Sequence, residues 1–213
     1  WDLELHKSIN HSLKTIQEAS SKLKIAVLVG HPKIEKNKVT NCGTLIWNGK
    51  IHWEYEKQAL PNYKIFSEPR YFTPGTETQN LCFDLNGFRL GAHICEDLWH
   101  PDIVENLVHQ KPEFIISINA SPYDRHKEDL RTKTLKDVWT RGKTACAYVN
   151  SVGGQDHLTF DGRSLLLDHN GDIHRIGPHA ESALLAIKLQ KDVDKQLSIT
   201  AMQPSLPLKT YVP

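Results

Sequence analysis

A cysteine placed where an apolar strand stops presents its thiol at a sheet edge, where backbone donors surround it and the thiolate can attack a carbonyl carbon. Cys95 has this setting: the run Arg89 to Ile94 ends in Cys95-Glu96-Asp97-Leu98-Trp99, with acidic and aromatic residues directly after the thiol. Taken alone, a free cysteine after an apolar run is more often a small buried hydrophobe. Cys42 and Cys82, in expected hairpin strands, and Cys146, in the apolar run Ala145 to Val152, keep that reading. A lysine at a strand end offers a cation for an oxyanion, and Lys57 follows the strand-like Ile51 to Glu56 and precedes a turn forced by Pro61. By itself it reads equally as a solvated lysine. Two further polar segments, Asn119-Ala120-Ser121-Pro122-Tyr123 and Asn150 to Asp156, also follow apolar runs. In open α/β sheets sites collect at that edge. His93 lies two residues before Cys95, on the same face if the segment is a strand. The 12 histidines show no HxH or HExxH spacing, so a histidine-assisted or metal-dependent site is not expected.

The elements that must position these residues are visible in the hydrophobic pattern. Leu5, Ile9, Leu13, Ile16 and Leu23 recur at three- and four-residue steps and predict an amphipathic helix over Leu3 to Leu23. The run Ile25 to Gly30 reads as a strand buried on both faces. Asn-Gly pairs at residues 48–49, 86–87 and 170–171 each predict a type I′ hairpin. The hairpins pair Gly43 to Trp47 with Ile51 to Glu56, Leu81 to Leu85 with Phe88 to Ile94, and Ser164 to Asp168 with Ile173 to Ile176. Phe114 to Ala120 is another buried strand, Asp124 to Gly142 a helix carrying Leu130, Thr134 and Val138 on one face, and Ala145 to Val152 a strand. The expected fold class is α/β, with one domain over residues 1–190 and a polar, proline-containing exit segment over 191–213.

Bulk properties exclude several functions. The 213 residues carry a formal net charge of +1, so there is no electrostatic footprint for nucleic acid or an anionic membrane. The apolar runs are far shorter than the roughly 20 residues that span a bilayer, and no secretory signal opens the chain. Four scattered cysteines without a CxxC point to a reducing, cytoplasmic setting, with free thiols and no structural zinc.

The strings YEKQALPNYKIFSEPRYFTPG, LGAHICEDLWHPD, NASPY and YVNSVGGQDHLTFDGRS occur in this order. Together they resemble the amidase domain of the nitrilase superfamily, most closely the glutaminase domains of glutamine-dependent NAD+ synthetases. The resemblance implies an αββα sandwich whose N-terminal strands and helix are missing from this sequence, and a Glu, Lys, Cys triad acting on L-glutamine. Cys95 matches the nucleophile and Lys57 the triad lysine, buried beside it. The family's general base, a glutamate in an FPE-like segment, has no counterpart here, and Trp1-Asp2-Leu3 matches the stretch shortly after it. Glu68 is a supporting carboxylate near Lys57. Tyr63, Ser121 and Lys127 carry over as glutamine contacts. Lys127 suits the substrate carboxylate, Glu96 its amide or ammonium, and Trp99 and Tyr123 a pocket wall. No cofactor is implied for this domain. ATP and magnesium belong to a synthetase domain, whose SGGxDS loop is absent from the sequence, and family members assemble as homo-oligomers. The alternatives are a free-standing nitrilase-type amidase or carbamoylase, and a non-catalytic interaction domain.

Overall fold

The computed structural model describes residues 3–35, 38–193 and 197–201. The chain forms two compact units, residues 1–83 and 84–213, where one domain to residue 190 is expected from sequence.

The first unit opens with α1 (Leu3–Leu23), followed by β1 (Ala26–Glu35), β2 (Lys38–Trp47) and β3 (Lys50–Glu56) in an antiparallel sheet of order β1-β2-β3. The helix stops where Lys24 turns left-handed (φ 55°) and the Ile25 N–H bonds back to the Ser20 carbonyl. Asn48 and Gly49 both have positive φ (49° and 78°), as the expected type I′ turn requires. Trp53 stacks on Tyr55 at 6.0 Å, and Phe83 tilts against Trp53 at 5.0 Å.

The expectation for residues 25–30 fails in one respect. No residue of β1 is buried, and Ile25 is 46 % exposed. β1 is an edge strand, paired only with β2 among the described residues, so its apolar side chains are covered on one side at most. Leu5 and Leu23 of α1 are exposed for the same lack of cover.

The second unit is built on a six-stranded sheet of order β11-β10-β7-β6-β5-β4. β4 (Cys82–Leu85) crosses the boundary between the units and turns through Asn86-Gly87, both at positive φ, into β5 (Phe88–Ile94). β6 (Phe114–Asn119) and β7 (Ala145–Asn150) continue the sheet in parallel, in register Leu90, Phe114, Ala145. The helices α2 (Pro101–His109) and α3 (Lys127–Gly142) are the crossovers that parallel pairing demands. Gly91 lets α2 approach the sheet, since a Cβ there would lie 2.7 Å from Leu107.

On α3, Arg131, Thr134, Leu135 and Val138 are buried, whereas Leu130, expected on the inner face, is 45 % exposed. The expected strand Ala145 to Val152 stops at Asn150. Val152 instead opens β8 (Val152–Gln155), which pairs with β9 (Leu158–Asp161). β10 (Leu165–Leu167) and β11 (Ile173–Arg175) form the third hairpin, but not through a type I′ turn. Only Gly171 has positive φ there, and the Asp168 carboxylate closes the loop by accepting the Asn170 and Asp172 N–H groups. The expected exit segment also differs. β12 (Ile187–Lys191) runs across its start and pairs antiparallel with β13 (Leu197–Ala201); residues 194–196 and 202–213 lie outside the described residues, as do Trp1 and Asp2. No helix among the described residues is long and apolar enough to cross a membrane.

Candidate active site

Cys95 stands directly after β5 and has φ 45°, a left-handed conformation that costs a non-glycine residue energy and collects at functional positions. The surrounding structure holds it there. Cys95–Trp99 form a short 3₁₀ helix, and the fully buried Asp97 accepts a 3.0 Å hydrogen bond from the Ile94 N–H through Oδ2. Cys95 is partly exposed, while Cys42, Cys82 and Cys146 have no exposure; all four are free of disulfides. Burial pushes the Cys42 thiol up to about 11 and Cys146 higher still, so neither gives a ready thiolate.

The segments after β6 and β7 meet at the same edge as Cys95. Asn150 Oδ1 accepts the Ser121 N–H at 2.9 Å, and the Ser151 N–H reaches the Asn119 carbonyl at 3.0 Å. Ser121 is 2 % exposed, its hydroxyl 3.3 Å from both Nε and Nη2 of Arg131, whose Nη1 donates to Asp161 at 3.0 Å. Lys127 and Trp99 come together, with Nζ 4.8 Å from the ring centroid. Glu96 follows Cys95 with a mostly covered side chain, its Oε1 3.9 Å from His100 Nε2. Tyr123 is half exposed and turns its ring edge-on to His179.

In the first unit Lys57 is 1 % exposed, which overturns the solvated reading. Its Nζ donates to both oxygens of Glu68 at 2.8 and 2.7 Å, so the carboxylate expected near Lys57 lies against its ammonium. The Lys57 N–H bonds to the Asn41 carbonyl and its own carbonyl accepts from Gly75. Gly75 must be glycine, because a Cβ would fall 2.2 Å from the Glu56 carbonyl oxygen. Glu68 begins the 3₁₀ turn Glu68–Arg70, and Tyr63 lies edge-on to Phe66 with 45 % exposure. A mixed donor trio, His31, Cys42 and Glu54, gathers ligand atoms within 4.8 Å on the same sheet. Its members already have partners: His31 Nε2 lies 2.8 Å from the Thr44 hydroxyl, and Lys33 donates to Glu54 at 3.0 Å, placing an ammonium beside the carboxylate.

His93 is 2 % exposed and sits in register with Ser117 and Tyr148. Burial lowers its imidazole to about 3, and neither ring nitrogen has a hydrogen-bond partner among the described residues. It is a neutral, very weak base. Burial first, and then the charge of a Cys95 thiolate, push the Tyr148 hydroxyl up. Asp97, Arg131 and Asp161 support this edge and were given no role in the sequence reading, whereas Asn150 opens a segment that the sequence placed there. For Arg131 a signal existed: residues 131, 134, 135 and 138 share one face of α3.

Residues 8–195 match the carbon-nitrogen hydrolase family, and the chain belongs to it. A glutamine-dependent NAD(+) synthetase of Xanthomonas campestris pv. campestris is 37 % identical over 150 residues, 70 % of this chain and 27 % of that protein. The chain thus spans less than a third of that relative. The structure of glutamine-dependent NAD+ synthetase from Acinetobacter baumannii, in complex with ADP, superposes with a TM-score of 0.82 at 28 % identity, over 98 % of this chain and 38 % of that one. An amidase from the nitrilase superfamily of Nesterenkonia AN1 superposes with a TM-score of 0.73 at 17 % identity, covering 92 % of this chain and 68 % of that one, and shares the fold. The expected nitrilase-superfamily α/β fold is therefore the observed one.

Proposed function

We propose that the chain is the glutaminase part of a glutamine-dependent NAD+ synthetase, releasing ammonia from L-glutamine for ATP- and magnesium-dependent amidation of nicotinic acid adenine dinucleotide by a synthetase domain. The observation that carries this reading is Cys95, the one partly exposed cysteine, held left-handed at a parallel strand's end. The relatives supply the substrate class. The Cys95 thiolate attacks the side-chain amide carbon, ammonia leaves with a proton, and water hydrolyses the thioester to glutamate. Lys57 supplies the cation for the developing oxyanion, with Glu68 fixing its ammonium. Lys127 over Trp99 supplies charge and wall for the amino-acid end of the substrate. The reading extends to a cytoplasmic homo-oligomer that needs no cofactor in this part.

In the enzyme at its full natural length, Cys95→Ala abolishes NAD+ formation from glutamine and leaves synthesis from added ammonia intact. A diazo-oxo analogue of glutamine labels Cys95 and spares Cys42, Cys82 and Cys146. Equal loss of both activities in a folded variant, or labelling elsewhere, refutes the assignment. Turnover of other amides in preference to glutamine identifies a free-standing amidase instead.

A further inference from the structure

We propose that Asp97 is a positioning residue for Cys95, its buried carboxylate holding the nucleophile's turn in the conformation from which the thiolate reaches the amide carbon. The role rests on the glutamine reading and deepens it. Ile94 ends β5 extended, at φ −118° and ψ 111°, in register with Ile118 of β6. One residue later Cys95 turns left-handed and opens the 3₁₀ helix Cys95–Trp99. The first N–H groups of a helix have no partner within it, and Ile94, in the capping position, has no side-chain oxygen to offer them. Asp97, third in the helix, works in the reverse direction: its Oδ2 accepts the Ile94 N–H at 3.0 Å. Its carbonyl accepts the His100 N–H at 3.2 Å, where α2 begins. One residue thus ties both ends of the turn that carries the thiol.

What the carboxylate opposes is strain. The cost of one left-handed non-glycine residue and the strength of a hydrogen bond to a charged acceptor are of similar size, so the bond suffices to hold the turn and its loss to release it. Asp97 has no exposure, and the burial of Ile94 and Leu98 beside it keeps bulk water from replacing the lost acceptor. The backbone must then turn to satisfy the Ile94 N–H, and the first residue to move with it is Cys95. A displacement of ~1 Å at a reacting atom costs up to about 10² in rate. Substrate affinity rests on other elements, since the Trp99 ring is held by the Lys127 ammonium of α3, 4.8 Å from its centroid. Loss of Asp97 therefore falls on the chemical step more than on binding.

The test is glutaminase kinetics of Asp97→Ala and Asp97→Asn in the full-length enzyme, each shown to be folded by its denaturant midpoint. In Asp97→Ala kcat for glutamine falls about 100-fold while KM changes less than about threefold. Asparagine keeps an oxygen for the Ile94 N–H, so Asp97→Asn regains at least about tenfold of that loss. Two thiol reagents then separate position from mere integrity. Inactivation by a diazo-oxo analogue of glutamine, which needs the thiolate aligned on its carbon, slows in parallel with kcat in Asp97→Ala. Alkylation of Cys95 by iodoacetamide, which needs only an accessible thiolate, is no slower than in the wild type. Should Asp97→Ala not fold, Asp97→Ser, whose oxygen stops one bond short of the carboxylate's, takes its place with the same expectations. Equal slowing of both reagents, a rise in KM at constant kcat, a kcat loss below about threefold, or no recovery in Asp97→Asn overturns the proposal while wild-type glutaminase activity stands. Absence of that activity in the wild type overturns the glutamine reading beneath it.

Discussion

The two fully buried cations among the described residues, Lys57 in the first unit and Arg131 in the second, are held in opposite ways. Arg131 faces an Asp161 side chain only 5 % exposed and gives its remaining N–H groups to serine and proline acceptors. The Lys57 ammonium is paired with Glu68, whose side chain is 22 % exposed and which takes two of the three ammonium protons. A saturated cation organises the residues around it. A cation with a donor to spare, beside a carboxylate open to solvent, is equipped to follow a charge that appears and disappears during reaction. Burial alone does not tell structural charge from chemical charge; the donor account does.

The largest effect that sharpens this contrast is on stability. Arg131→Ala leaves Asp161 buried without its cation, and such a break costs ~3–5 kcal/mol, read as a fall in the denaturant midpoint. Arg163, whose Nε lies 3.9 Å from Asp161, softens the loss without replacing the lost bonds. Next comes rate. Lys57→Met deletes the ammonium and keeps the stem, and removal of one oxyanion donor costs on the order of 10²–10³ in kcat for glutamine. Its stability cost stays below about 1 kcal/mol, because Glu68 can be hydrated and an apolar side chain suits the Lys57 site. A rate loss below about tenfold makes Lys57 a bystander, and a large stability loss with little change in rate reverses the contrast.

The same contrast explains what was legible in the sequence. Lys57 and Glu68 lie 11 residues apart in a recognisable string, and Cys95 announces itself by the acidic and aromatic residues that follow it. Arg131 and Asp161 are 30 residues apart, and an arginine in a helical pattern counts as surface until the fold buries it. Asn48-Gly49 and Asn86-Gly87 gave their turns away because two successive positive φ angles demand such residues. Asn170-Gly171 misled because the Asp168 side chain offered the backbone an alternative closure. β1 and β6 look alike as apolar runs, yet β6 is central and largely buried whereas β1 is an edge. Burial depends on what lies alongside, and a run of valine and isoleucine does not encode its neighbours.

The smallest effect concerns a buried group that carries no charge at all. His93 titrates near 3 when folded and near 6.5 when unfolded, because burial alone disfavours its imidazolium. The unfolded chain therefore binds the extra proton first as pH falls. Stability from this group is fully present above about 6.5, and is lost at up to ~1.4 kcal/mol per pH unit on the way down to the folded value. Glu128, held low by Arg175, and Asp168, held low against its burial by His174, also lose stability in acid, but only near and below the ordinary carboxylate range of ~4. The interval from about 6.5 to about 4.5 thus isolates His93, with an expected loss of roughly 2–3 kcal/mol across it. Denaturant unfolding of the wild type and of His93→Leu at several pH values across that interval reads the difference. The leucine variant shows a flatter profile and, having no buried ring nitrogens to leave unpaired, is no less stable at pH 7 than the wild type by more than about 1.5 kcal/mol. Parallel losses in the two proteins would show that His93 is not the neutral buried group its surroundings make it.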